Sequence, residues 1–265
     1  MVIMVLWTFA DRAFYVPNTE KPYVPFGMEF QLEEVTIPNG AASLAAWILD
    51  PATGGTKGTV VFCHGNAGNL ENHFSFVDFL PLSGYRVLLF DYQGYGESTP
   101  NRPTRSSTLS DAHAALVYAS QRWGKSWLMG HSLGASVAIV AAAERKEAIL
   151  GLVASAPFTS YRAEARAALG GGTPFGLITW PLGFFVSRGQ DPIDSVAAIS
   201  PTPILFIHGE NDEIIPAYMS LELYEKAGEP KERVVIPGAY HNEGWRELGP
   251  GYVEKVIGFL ERAGG

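Results

Sequence analysis

The sequence predicts an α/β domain: a mostly parallel β-sheet covered by helices. Short runs of β-branched and aromatic residues alternate along it with helical stretches and glycine-marked turns. Of its 265 residues 47% are apolar and 17% charged, so the chain can bury a large core and is too apolar to stay disordered. No internal repeat or low-complexity tract interrupts the alternation.

Taken in order, Glu33–Pro38 and Leu44–Asp50 read as strands joined at the Pro38-Asn39-Gly40 turn, an antiparallel edge pair. Thr59–Cys63 and Tyr85–Phe90 are nearly continuous apolar runs, as expected of strands buried on both faces. Thr108–Trp123 has helical spacing, with Leu109, Ala112, Leu116 and Ala119 on one side. Ser126–Met129 is a short strand, and Leu133–Ala143 is small and apolar enough for a helix pressed against a sheet. Ile149–Ser155, Pro203–His208 and Arg233–Ile236 complete the strands, and Pro250–Arg262 is the last helix. Residues 156–201 are too long for an ordinary connection and rich in aromatics, including Phe158, Tyr161 and Trp180. They are expected to form a small helical cap whose aromatics line a substrate pocket. The domain proper is expected over 33–265. Residues 1–32 form an N-terminal segment, and its apolar run Met1–Ala10 either packs on the domain or touches a membrane surface weakly.

The net charge is −8, with no basic stripe, so a nucleic-acid partner has no electrostatic support. The single cysteine, Cys63, cannot form an internal disulfide, which fits a cytoplasmic location, with membrane association through Met1–Ala10 as the variant. No phosphate-binding glycine pattern and no metal-ligand spacing occurs, so neither a metal nor another cofactor is expected.

The chemistry centres on Gly130-His131-Ser132-Leu133-Gly134. Gly-x-Ser-x-Gly is weak alone, but here a strand precedes it and a helix-forming run follows, the context of a tight turn that exposes a serine hydroxyl. A serine hydroxyl needs an adjacent base. Of six histidines, His241 has the right place, in a loop after the last strand. The order serine, acid, histidine then calls for a carboxylate between them. Asp212 in the loop after Pro203–His208 is the choice, with Glu210 and Glu213 read as solvated charges. For the oxyanion, the donors expected are the backbone N–H of Leu133 and that of Asn66, with Ala67 the alternative to Asn66.

His64-Gly65-Asn66, the Asp91–Ser98 turn, the Gly130–Gly134 elbow and the Asp212/His241 pair together resemble the α/β-hydrolase superfamily. The runs His64–Asn69, Phe90–Ser98 and Pro157-Phe158-Thr159-Ser160 resemble its bud-emergence-suppressor-like branch of small serine hydrolases, over nearly the whole chain from about Phe14. The resemblance implies an eight-stranded, mostly parallel sheet and cofactor-free hydrolysis of a small-molecule ester or thioester. Apolar acyl or aryl esters are the leading expectation, a thioesterase or protein deacylase the close rival, and a catalytically idle binding protein the alternative from another class.

Overall fold

The computed structural model describes residues 14–25, 27–52, 55–170, 186 and 188–264. Its centre is an eight-stranded sheet in the order β1-β2-β4-β3-β5-β6-β7-β8. β1 (Phe30–Asn39) and β2 (Ala42–Pro51) form a hairpin, with Phe30 opposite Pro51 and Asn39 opposite Ala42. The turn is closed by Gly40, whose φ of +60° suits a residue without a Cβ. β2 pairs antiparallel with β4 (Arg86–Phe90), and every later pairing is parallel. The parallel strands are β3 (Thr59–Cys63), β5 (Ser126–His131), β6 (Ile149–Ser155), β7 (Ile204–Gly209) and β8 (Lys231–Ile236), together with β4.

Alternation along each strand divides the core into two layers. Val61 and Cys63 of β3 join Leu88, Leu128, Leu152 and Phe206 on one face, while Val60 and Phe62 join Val87, Trp127, Val153 and Leu205 on the other. The second layer is covered by the turn Glu71–Phe76, by α1 (Phe79–Leu82) and by the C-terminal helix, through Tyr252, Val256, Phe259 and Leu260. The first is covered by α2 (Arg105–Trp123) and α3 (Leu133–Glu144). α2 begins earlier than its apolar spacing implies, because Thr104 and Ser107 form a reciprocal capping box at its start. In α3 every residue from Leu133 to Ala142 is buried, which accounts for its run of small residues.

Within 156–201, α4 (Tyr161–Gly170) and α5 (Pro192–Ser195) are helical, and Val196–Ile199 is a 3-10 turn. Val196 and Ile199 belong to the first core layer, so this end of the excursion rejoins the helices on the sheet. Trp180 and the Met1–Ala10 run lie outside the described residues. The remaining helices are α6 (Tyr218–Lys226), α7 (Trp245–Leu248) and α8 (Pro250–Gly264). Among the described residues no helix is long and apolar enough to cross a membrane. The chain leaves β3 for β4 on one side and then places β5 on the other. The carboxyl ends of β3 and β5 therefore flank a topological switch point, where open α/β sheets bind ligands.

Candidate active site

Four loops leave the carboxyl ends of β3, β5, β7 and β8, and they carry Asn66, Ser132, Asp212 and His241 respectively. Ser132 sits between β5 and α3 with φ +56° and ψ −120°, a strained conformation for a residue with a Cβ. Two glycines make the bend possible. A Cβ on Gly130 would lie 2.4 Å from the Gly134 carbonyl oxygen, and one on Gly134 would lie 2.0 Å from that of Cys63. The Ser132 N–H donates to the Ser155 carbonyl at 2.9 Å, tying the bend to β6. Strain held in place by packing on both sides is characteristic of a functional position.

Ser132 Oγ lies 3.0 Å from His241 Nε2, and His241 Nδ1 lies 2.7 Å from Asp212 Oδ2. The carboxylate can only accept, so Nδ1 carries the proton, and Nε2 is left to accept from the serine hydroxyl. Asp212 Oδ1 accepts the N–H groups of Ile214 at 3.0 Å and Ile215 at 2.7 Å. His208 donates through Nε2 to the Ile215 carbonyl at 2.8 Å and brings the same nitrogen within 3.1 Å of Asp212 Oδ2. Burial pushes the Asp212 carboxyl up. The nearby His208 and His241 N–H groups, the His241 charge and the Ile215 N–H outweigh it, and the group lies below the ordinary carboxylate range.

Glu210 and Glu213 are not simply solvated. Glu210 Oε2 accepts the Gly238 N–H at 2.9 Å, and Glu213 Oε2 accepts the His241 N–H at 3.3 Å. Together with the bond from the Asn211 N–H to the Ala239 carbonyl at 2.9 Å, they lace the acid loop to the histidine loop. The His131 ring stacks on Phe76 at 4.3 Å, meets His241 at 5.0 Å, and sets Nδ1 3.5 Å from Ser155 Oγ. Burial, then the charges of His241 and His73, holds its pKa well below the usual histidine value. His64 stacks on His73, with its Nε2 3.3 Å from Asp91 Oδ1, out of hydrogen-bond alignment. Asp91 accepts the Leu70 N–H at 2.7 Å, a structural bond at the base of the loop that contains Asn66.

Leu133 is the first residue of α3, and among the described residues no protein group accepts its N–H or that of Asn66. Both amides are therefore left without a protein acceptor. Phe158 and Tyr161 are enclosed, 1% and 3% exposed. Phe158 packs edge-on against Tyr161 and Phe14, and Tyr161 against Phe14. Among the described residues, the exposed large hydrophobic side chains on or next to the acid and histidine loops include Ile214, Tyr218 and Tyr240, 40%, 53% and 54% exposed.

Residues 54–174 match the family described as serine aminopeptidase, S33. The chain is 33% identical over 252 residues to the "Uncharacterized protein Rv2307c" of Mycobacterium tuberculosis, covering 91% of this chain and 84% of that one. It is 27% identical over 258 residues to protein bem46 of Schizosaccharomyces pombe, covering 92% and 82% respectively. Among solved structures, the Pyrococcus furiosus esterase Pf2001 superposes with a TM-score of 0.75 at 22% identity, over 95% of this chain and 100% of that one. Est1E from Butyrivibrio proteoclasticus with ferulic acid bound superposes with a TM-score of 0.71 at 22% identity, over 86% and 98%. With the eight-stranded sheet, the strand-to-helix bend and these relatives agreeing along the chain, it belongs to the bem46-like family of the α/β-hydrolase superfamily.

Proposed function

We propose that the chain is a carboxylic ester hydrolase for apolar acyl or aryl esters, with Ser132 as nucleophile, His241 as general base and Asp212 as the acid that orients the histidine. The observation that carries this reading is the His241 ring, bonded at one nitrogen to the Ser132 hydroxyl and at the other to the Asp212 carboxylate. Ser132 Oγ attacks the ester carbonyl carbon while His241 Nε2 takes its proton. The carbonyl oxygen becomes an oxyanion facing the N–H groups of Leu133 and Asn66. As the tetrahedral adduct collapses, the C–O bond to the alcohol breaks and His241 returns the proton to the leaving oxygen. Water then repeats the sequence on the acyl-enzyme, releasing the acid and restoring the serine. Asp212 stays ionised throughout, fixing the tautomer and stabilising the imidazolium.

The exposed Ile214, Tyr218 and Tyr240 support an apolar preference. Two structural neighbours, the Pyrococcus furiosus esterase Pf2001 and Est1E with ferulic acid bound, point the same way. Chromogenic esters graded by acyl length, each paired with its thioester, test the reading. Short apolar oxygen esters are expected to turn over. Ser132→Ala is expected to lower kcat by about 10⁴-fold or more and to abolish labelling by a fluorophosphonate. Unlabelled wild-type protein, or activity retained in Ser132→Ala, would overturn the mechanism, and faster turnover of every matched thioester would reassign the substrate class.

A further inference from the structure

The turn after β3 has no sheet neighbour of its own, yet it carries the amide assigned above to the oxyanion. What it has instead is the segment Phe14–Tyr23. Pro17 forms a parallel bridge with Gly68, where the Asn18 N–H donates to the Gly68 carbonyl at 2.8 Å and the Gly68 N–H to the Val16 carbonyl at 3.3 Å. The Asn66 side chain is committed to the same segment. Its Oδ1 accepts the Val16 N–H at 3.1 Å, and its Nδ2 donates to the Phe14 carbonyl at 2.6 Å. Tyr95 adds its hydroxyl to Asn66 Oδ1 at 2.9 Å. Farther on, Asn69 Nδ2 donates to the Glu20 carbonyl at 3.2 Å, and the Tyr23 N–H donates to Glu71 Oε2 at 2.7 Å. The other end of the segment is held by the Phe14 ring, packed on Tyr161 at 5.1 Å and on Phe158 at 6.0 Å.

We propose that Phe14–Tyr23 is a strap that positions the oxyanion loop, with Phe14 and Val16 acting as positioning residues through the Asn66 side chain. The inference rests on the esterase reading above. An amide stabilises an oxyanion only when it is aimed before the charge forms, and a misplacement of about 1 Å can cost on the order of 10²-fold in rate. The peptide plane of Asn66 is fixed at the side chain by residues 14 and 16. Loosening the strap therefore lets the donor swing while the serine, histidine and aspartate, on other loops, stay where they are. The loss falls on the transition state and spares ground-state binding.

Val16→Pro removes the N–H given to Asn66 Oδ1 and sets the ring Cδ against that oxygen, so the bond is lost and the side chain displaced. Asn66→Asp keeps the shape of that side chain but cannot give the Nδ2 donor to the Phe14 carbonyl while ionised. Both are made in the full chain, their fold checked by circular dichroism. They are assayed for kcat and KM on a chromogenic ester and for inhibition by a trifluoromethyl ketone that mimics the tetrahedral adduct. The expected result is a kcat lower by about 10- to 100-fold, KM within about threefold, and ketone binding weakened in step with kcat. Should Val16→Pro fail to fold, the near-isosteric Asn66→Asp alone must show this pattern. Wild-type kcat in a folded variant, a rise in KM alone, or a lower kcat with unchanged ketone binding would overturn the strap. An active wild type beside indifferent variants would sink only this inference, whereas a wild type inert to esters and to the fluorophosphonate would sink the esterase reading beneath it.

Discussion

Asp212 shows how a single side chain is specified by several distant ones. Its Oδ1 is held by two backbone amides of its own loop, and its Oδ2 by His241. His208, at the end of β7, closes the remaining side by fixing the Ile215 carbonyl. Replacing His208 by Phe would keep a ring of similar size, leave that carbonyl unpaired, and withdraw the nitrogen 3.1 Å from Asp212 Oδ2. The expected outcome is a kcat lower by about tenfold and a protein less stable by about 1–3 kcal/mol, measured by steady-state kinetics and urea unfolding. Equal kcat would show that the backbone amides and His241 suffice. In the sequence, Ser132 is marked by its flanking glycines and His241 by following the last strand. Asp212 had to be chosen among three acids, and the parts played by Glu210 and Glu213 were hidden. Whether a carboxylate meets water or an amide there depends on the loop 238–241, brought alongside only by the β7–β8 pairing.

At the scale of elements, the bend at Ser132 depends on how closely α3 approaches β3. Gly134 lies against the Cys63 and His64 carbonyls, where an added Cβ would sit at 2.0 and 2.4 Å. Both obstacles are backbone, so neither can swing aside. Gly134→Ala must push α3 away from the sheet, carrying Ser132 and the Leu133 amide with it. The expected cost is about 3 kcal/mol or more, read as a melting temperature lower by about 6–10 °C, with ester turnover lost in the protein that still folds. A wild-type melting temperature would refute the contact. The central strands were legible because, buried between two layers, they read as continuous apolar runs, and α2 because its apolar spacing faces one layer. The start of α2 was hidden in a capping box, and α6 went unread because only Met219, Ser220 and Leu223 of it are buried, too few to mark a period. The strap was illegible for a different reason: Phe14–Tyr23 is bonded through its backbone to the loop backbone and to the side chains of Asn66, Asn69 and Glu71, and hydrophobic patterning carries no trace of such bonds.

Across the whole molecule, buried titratable groups set opposing limits on stability with pH. His73 and His131 are buried among aromatic rings and one another. Burial, then the His64 charge, lowers His73 from 6.5 to about 3, and burial with the charges of His241 and His73 lowers His131 well below 6.5. Their contribution is present above pH 6.5 and is lost as acid protonates the unfolded chain, so the fold weakens as pH falls from there toward about 3. Glu164 runs the other way. Buried on α4 and facing the charge of Asp212, it is raised from 4.5 to about 8. Its contribution is present below pH 4.5 and is lost as pH rises toward about 8. As pH rises from 4.5 to 6.5 the two histidines strengthen the fold and Glu164 weakens it, and between 6.5 and 8 Glu164 is the one of the three that still titrates. Each proton is worth about 1.4 kcal/mol per pH unit, so Glu164 makes the unfolding free energy from denaturant titrations fall between pH 6.5 and 8. Glu164→Gln removes the alkaline slope alone: the variant should match or exceed wild type above pH 7 while keeping its acid limb. An unchanged fall above pH 6.5 in Glu164→Gln would show that the Glu164 carboxyl is already ionised in the folded protein at that pH.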